Sequence, residues 1–513
     1  MTISRSILHT TLLCAGLATA LPGWAAPLVI AQPADIRSTN PGVNRDNSTD
    51  GVILNVIEGL VGYRADGTVA PLLAESVDIS SDGLTYTFRL RPDVKFHNGS
   101  PVTSAEVLWS WNRYMDPATG WRCLGEFDGR NGLKVTEVSA PDASTFVMKT
   151  DQASALFLDT LARTDCGMTA ILHPDSVAAD GSWLTPVATG PYTFVDWKRG
   201  EYVTLRAFTD YRSPGTEKSD GYVGDKTPHA EEVRFLVVPD SSAAKAGLQS
   251  GAIDLAQVTF ADYLELKDNP NLDVLIPGEA TKHSLLLQTR DPVLQNQKLR
   301  QAIAASLDIS QIVQAASEGV ANQTNQSAVH QHSPFYSDTQ RKGYSYDPAL
   351  AQRLLQEAGY KGEKITIYAN KRAHVPSYQV AIMAQAMMQA AGINAQIEVL
   401  EWATQLDRYN RGNYQISSFT YSSRLDPSLS YEQFAGDKDQ QSRKVWENPE
   451  ALELIEASMR EFDPTKRQVL FDQLHEKMLD DVPLIILFNG ATAWGQKKGL
   501  DHVTVWEGKP LLW

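Results

Sequence analysis

Residues 83–113 read Gly-Leu-Thr-Tyr-Thr-Phe-Arg-Leu-Arg-Pro-Asp-Val-Lys-Phe-His-Asn-Gly-Ser-Pro-Val-Thr-Ser-Ala-Glu-Val-Leu-Trp-Ser-Trp-Asn-Arg. Leu84, Tyr86, Phe88 and Leu90 alternate with Thr85, Thr87, Arg89 and Arg91. That is the two-residue period of a strand with one buried face. Pro92-Asp93 ends the alternation, and Asn98-Gly99 supplies a second tight turn. Thr103 stands where a helix N-cap would, with Glu106 three residues on to close a capping box. Val107, Leu108, Trp111 and Tyr114 then recur at helical spacing and predict one apolar face. The stretch predicts strand, turn, short apolar extension, turn and capped helix.

Working outward, the chain of 513 residues is too long for one ordinary core, so two or three domains are expected. Lys and Arg total 46 against 61 Asp and Glu, a formal charge of −15. That disfavours a nucleic-acid partner, whose phosphates require a basic stripe. Residues 1–25 predict a secretory signal: Arg5, a mostly apolar run from Ile7 to Leu21, and Gly23-Trp24-Ala25 as a cleavage site. Cys14 follows Leu13 rather than a small residue, which argues against lipidation. Cleavage would leave Cys123 and Cys166. In an oxidising compartment a disulfide between them is expected, the alternative being two separate buried thiols.

Residues 27–32 and 144–149 predict strands, as do 201–205, 233–238 and 253–255; 52–60 and 242–250 predict helices. From 283 onward helix and strand patterns alternate: strands at 283–289, 365–368, 395–400, 414–420 and 482–488, helices at 299–307, 348–359 and 377–391. Such alternation predicts an α/β lobe. The hydrolase, P-loop and zinc-protease motifs are missing from the sequence. His330-Gln-His332 is a close histidine pair, too few ligands for a metal site. Neither a cofactor nor a metal is expected, and the chain is not expected to be an enzyme.

The run from Tyr86 through Asp93-Val-Lys-Phe-His-Asn-Gly99 to Thr103-Ser-Ala-Glu-Val107 resembles the signature of family 5 extracellular solute-binding proteins. These are the dipeptide, oligopeptide and nickel-type receptors of ABC importers. Ile57-Glu-Gly-Leu-Val-Gly-Tyr63, Leu72-Leu-Ala-Glu-Ser76, Thr189-Gly-Pro-Tyr192, Tyr346-Asp-Pro348 and Glu357-Ala-Gly-Tyr360 extend the resemblance along the chain. It implies an α/β, two-lobed periplasmic binding protein fold (type II, cluster C-like) with an extra domain inserted in the first lobe. The expected division is 1–25 signal peptide, 26–66 lobe 1 (first part), 67–186 inserted domain, 187–282 lobe 1 (second part), 283–489 lobe 2, and 490–513 lobe 1 (C-terminal return).

The segment Thr420-Tyr-Ser-Ser-Arg-Leu-Asp-Pro427 follows a lobe 2 strand, where an α/β sheet presents its ligand crevice. Tyr421 offers a stacking face, Ser422 and Ser423 offer hydroxyls, and Arg424 can grip a carboxylate or phosphate through two parallel hydrogen bonds. Asp426 joins this set, or else caps the following turn. Peptide-binding relatives place an Asp before the Asp-Pro to hold an amino group; here Ser423 and Arg424 stand there. Dipeptide receptors carry an Arg near Tyr378 that this chain lacks, and Arg372 and His374 are expected to replace it. Asn40, by resemblance, lies in a cleft-lining loop, and Trp402 and Trp494 are candidate cleft walls.

The resemblance therefore implies a periplasmic, monomeric substrate-binding protein of an ABC importer. It would close on a peptide, a peptide-like compound or an acidic small solute and hand it to an inner-membrane permease with its ATPase subunits. An opine-like or phosphorylated sugar conjugate and a metal chelate are the alternative ligands. A secreted hydrolase using the same cleft, or a sensory adaptor, is the rival class.

Overall fold

In a computed structural model the described residues are 27–44, 46–215, 218–320, 324–372 and 375–513. The expected signal peptide and His374 lie outside them. Two large sheets organise the described chain. A seven-stranded sheet runs in the order Leu272–Leu275, Ala493–Lys497, Leu255–Val258, Leu28–Gln32, Glu232–Val237, Tyr202–Ala207, Tyr192–Lys198. A five-stranded sheet runs Ala395–Val399, Ile365–Ala369, Ile416–Tyr421, Gly278–Leu287, Leu484–Ala491. Each is the centre of one lobe. The chain passes between them twice, from Leu272–Leu275 into Gly278–Leu287 and from Leu484–Ala491 back into Ala493–Lys497. The crossovers run side by side: the Thr492 N–H donates to the Pro277 carbonyl at 3.3 Å, and Asn489 Nδ2 to the Thr281 carbonyl at 3.0 Å.

The stretch 83–113 folds as its pattern predicts. Thr85–Leu90 buries Tyr86, Phe88 and Leu90 while its alternate residues face outward. It pairs antiparallel with Ala74–Ile79 and Thr145–Thr150, and Val135–Asp142 completes a four-stranded sheet. The helix Ser104–Met115 opens on the full capping box, with Thr103 and Glu106 satisfying each other's backbone N–H groups. Val107, Trp111 and Tyr114 are buried on one face.

The helix expected over 52–60 is displaced. It runs Asn47–Ile53, capped by Asp46, whose carboxylate accepts the Thr49 N–H. The apolar residues after it are buried without helical structure, and Gly59 packs its Cα against another segment. A Cβ there would lie 2.0 Å from the Met168 carbonyl oxygen. The resembling phrase around Glu58 has a structural cause. Glu58 is fully buried and takes Lys226 Nζ at 2.7 Å, Tyr211 Oη at 2.7 Å and Thr189 Oγ1 at 3.1 Å. Burial pushes the Lys226 ammonium pKa down, against the attraction of Glu58.

Seven helices among the described residues have no counterpart in the sequence reading, among them Phe260–Leu266, Ile309–Ala316, Trp402–Asn410 and two near the C-terminus. Pro449–Arg460 and Pro464–Asp481 pack on each other beside the five-stranded sheet, each with Pro in its first turn and an Asn or Asp cap. The second is largely polar, and its apolar stripe is too thin to announce itself. The Cys123–Cys166 disulfide is formed, with Cα atoms 5.7 Å apart.

Candidate functional site

A cavity of about 210 Å³ lies where the two lobes meet. Five separate segments line it, together with Tyr63. The helix Asn47–Ile53 contributes Asn47 and Asp50, and the 3-10 turn Thr164–Thr169 with its preceding residue contributes Arg163, Thr164 and Asp165. The crossover strand Gly278–Leu287 contributes Glu279 and Thr281. The C-terminal hairpin Thr504–Trp506/Lys509–Leu511 contributes Trp506, Glu507 and Lys509. Lobe 2 closes the cavity with Ser422, Ser423, Arg424, Leu425 and Leu429.

Arg163 and Asp165 are locked to each other. Arg163 Nε and Nη2 reach the two Asp165 carboxylate oxygens at 3.0 and 3.1 Å, and Arg163 also pairs with Glu126 at 3.1 Å. Burial raises the Asp165 carboxyl, but the Arg163 hydrogen bonds and charge prevail and hold it well below the usual range. The disulfide fixes this turn from behind, where Trp121 Nε1 donates to the Cys166 carbonyl at 2.9 Å.

The hairpin turn is strained. Glu507 has φ +47° and Gly508 φ +71°, a left-handed pair that suits Gly at the second position and costs energy at the first. A Cβ on residue 508 would also stand 3.0 Å from Glu279 Oε1. The strain aims Glu507 across the site. Its carboxylate accepts the Ser423 hydroxyl of lobe 2 at 2.6 Å and the Ala280 N–H of the crossover at 3.0 and 3.2 Å. Glu507 thus connects the lobe 1 return, the crossover and the lobe 2 loop. Lys282 lies beneath the loop, its Nζ donating to Ser430 Oγ at 2.9 Å. Burial, helped by the nearby Arg424 charge, pushes Lys282 down to about 7.

The lobes also touch outside the cavity. The Ala155 N–H donates to the Met459 carbonyl at 2.8 Å, and a Cβ on Gly67 or Gly83 would meet Leu425 at 3.3 Å or Phe462 at 3.0 Å. These contacts define a closed arrangement.

Of the residues expected at the site, Ser422, Ser423 and Arg424 line the cavity, with Arg424 donating to the Ser423 carbonyl at 2.8 Å and Ser422 Oγ at 3.3 Å. The others do not. Asp426 caps the helix Pro427–Glu432 and is held by Arg467 Nη2 at 2.9 Å from both its oxygens, so its buried charge is already answered. Tyr421 is buried among Tyr409, Phe419 and Phe434. Its side chain leaves the sheet on the core face. Trp402 packs on Phe419 and carries Arg372 over its ring at 3.6 Å, an arrangement that occupies both residues away from the cavity. Asn40 accepts from Arg113 Nη2 at 3.0 Å. Trp494 is buried in its strand, with Nε1 bonded to Thr492 Oγ1 at 3.0 Å. The cavity is therefore of mixed charge, with Arg424 but not Arg372 in its lining. Sequence reasoning missed Asp50, Glu279, Glu507 and Lys509, which come from three distant segments. The one available signal was Glu507-Gly508 between two short alternating runs, a hairpin-turn pattern.

Residues 68–442 match the bacterial extracellular solute-binding proteins, family 5, and the chain belongs to that family. Among curated relatives, the glutathione-binding protein GsiB of Escherichia coli strain K12 is 26% identical over 406 residues, covering 78% of this chain and 75% of GsiB. Among solved structures, HbpA2 from Haemophilus parasuis superposes with a TM-score of 0.82 at 22% identity, covering 95% of this chain and 99% of its own. The binding protein AgaA from A. tumefaciens R10, solved in complex with agropinic acid, gives 0.70 at 25% identity, covering 94% and 95%. The fold is the two-lobed binding-protein fold of this family. No helix among the described residues is long and apolar enough to cross a membrane.

Proposed function

We propose that the chain is the substrate-binding component of a bacterial ABC importer, capturing a peptide or peptide-like small solute between its lobes and delivering it to an inner-membrane permease and its ATPase subunits. The observation that carries this reading is the charge-lined cavity between two lobes that adjacent crossovers connect and the Ser423–Glu507 bond braces. Capture requires contacts that exist only when the lobes close, and this bond is one of them. Family membership supports the transport role, and GsiB and AgaA, named for glutathione and solved with agropinic acid, support small polar solutes bearing acid groups. A cavity of about 210 Å³ favours a small solute over an extended peptide.

The reading includes export through the signal at 1–25, a monomer in the periplasm, and the division of lobe 1 by an insert at 67–186. It also includes capture without chemical change. The test is mass spectrometry of whatever a gently purified, then denatured, sample releases. One small polar mass, returned unaltered after incubation with fresh protein, is the expected result. A product mass differing from the added solute would replace this reading with a hydrolase.

A further inference from the structure

A second cavity, of about 290 Å³, lies in lobe 2 away from the cleft. It sits at the end of the five-stranded sheet where Gln288 and Gln415 extend the pairing of Gly278–Leu287 with Ile416–Tyr421, the Gln288 N–H donating to the Gln415 carbonyl at 2.9 Å. Residues 422–425, which wall the cleft, leave the opposite end of Ile416–Tyr421, about 17 Å away along the strand. The two cavities share no lining residue.

Arg290, Arg411 and Lys438 line this second cavity, with Asn413 adding an amide and Ser442 a hydroxyl. Lys438 is only 4% exposed. Its Nζ donates to Gln288 Oε1 at 2.8 Å and to Thr289 Oγ1 at 2.6 Å. Two of the three ammonium donors are thus spent on neutral oxygens. The carboxylates around it are engaged elsewhere. Asp439 and Glu447 each pair with Arg290 at 2.6 Å, and Asp291 accepts the Val293 and Leu294 N–H groups at 2.9 and 3.0 Å. Arg411 pairs with Asp407 at 3.0 Å, both side chains more than half exposed, so water screens that contact. Lys438 is therefore a buried charge that no ion pair among the described residues answers, an arrangement that is costly unless an anion completes it.

We propose that this cavity is a second binding site, taking a small multivalent oxyanion whose charge meets the Lys438 ammonium and, on the solvent side, the Arg411 guanidinium. Phosphate and polycarboxylates carry that chemistry. The site is independent of solute capture in the cleft.

The ionisation of Lys438 fits this role. Burial pushes its ammonium down to about 8, with Glu447 opposing the fall and Arg290 and Arg300 adding to it. Asp291, Asp439 and Arg411 are the other charged groups around the cavity. A seated anion favours the charged amine, so binding takes up a proton and weakens as pH rises through that value.

The test uses the full mature chain with inorganic phosphate and with citrate, at an ionic strength fixed by sodium chloride. Calorimetry reads affinity, and the rise in melting temperature reads stabilisation by a ligand of the folded state. Binding of at least one oxyanion at millimolar concentration or below is expected, and which one binds identifies the anion the site takes. Citrate affinity should fall about tenfold between about pH 7 and 9 as the amine loses its proton. Lys438→Met removes the charge but keeps an unbranched stem, and should cost about tenfold in affinity along with the pH dependence. Arg411→Gln, at an exposed position, is the second variant should the first fail to fold, and should weaken binding about threefold. Binding of neither oxyanion beyond the chloride control, or affinity unchanged in every variant that folds, would overturn the site. Loss of oxyanion binding in Arg424→Ala instead would place the anion in the cleft and overturn it as well.

Discussion

Replacing Ser423 with Ala removes the hydroxyl that joins lobe 2 to Glu507 across the cleft. The bond is 2.6 Å long, and on the capture reading it is made only when the lobes are closed. In the open form both groups are hydrated, so only the net value of the bond is lost. A neutral hydrogen bond contributes about 0.5–1.5 kcal/mol and one to a charged group about 1.5–3. Burial raises the Glu507 pKa, which places this bond near the border, at about 1.5 kcal/mol. At roughly 1.4 kcal/mol per decade, the closed-to-open ratio should fall about tenfold. Single-molecule energy transfer between dyes on the two lobes reads that ratio directly in protein freed of solute. Ser423→Thr, which keeps a hydroxyl, should restore most of it. An unchanged ratio in a folded Ser423→Ala variant would falsify the view that this bond braces closure.

Arg467→Ala should cost about 3–5 kcal/mol in denaturant unfolding, because it leaves the buried Asp426 carboxylate without its two bonds from Arg467; a loss below 1 kcal/mol would mean that water or another cation compensates. Replacing both Cys123 and Cys166 by Ser should cost about 4 kcal/mol in the chain-entropy model for a loop spanning a separation of 43 residues. The same double variant should loosen the Arg163–Asp165 pair that the bridge supports, seen as faster amide exchange over 163–169. Glu279→Gln should stabilise the solute-free protein more at pH 8 than at pH 5. The sign follows from the raised pKa of about 7: the folded state holds a proton that the unfolded chain has already lost, so stability falls as pH rises through that window. An equal melting shift at both pH values would contradict it. Asp165 should behave in the opposite way, since its depressed carboxyl contributes stability above the ordinary carboxylate range that is lost as acid protonates it.

The scaffold was legible because its signals are local. Alternation at 84–90, the Thr103–Glu106 box and the apolar helical face each depend on residues within one turn or one strand, and the tertiary structure keeps them. The long gapless match extended that local reading to a whole family, and with it the two-lobed fold. The boundary of the first helix was misplaced because the Asp46 cap, which sets its start at Asn47, lies upstream of the apolar run that was read as the helix. The long helix Pro464–Asp481 was missed because a largely polar helix carries little periodicity.

The site was legible only in part, for the same physical reason. Ser422, Ser423 and Arg424 stand together in sequence after a sheet strand, so pattern alone places them at the crevice. Tyr421 and Asp426 are their neighbours in sequence but not in space, since a strand sends alternate side chains to opposite faces and a helix cap turns its carboxylate inward. The sequence by itself determined the class of protein and its mixed α/β lobes, and it pointed to the disulfide and to three residues that line the cavity. Only the tertiary structure decided the charge of the cavity. Asp50, Glu279, Glu507 and Lys509 meet because two crossovers and a C-terminal hairpin return distant segments to one place. The raised carboxyls of Asp50, Glu279 and Glu507 belong to that shared burial, a property no single segment possesses.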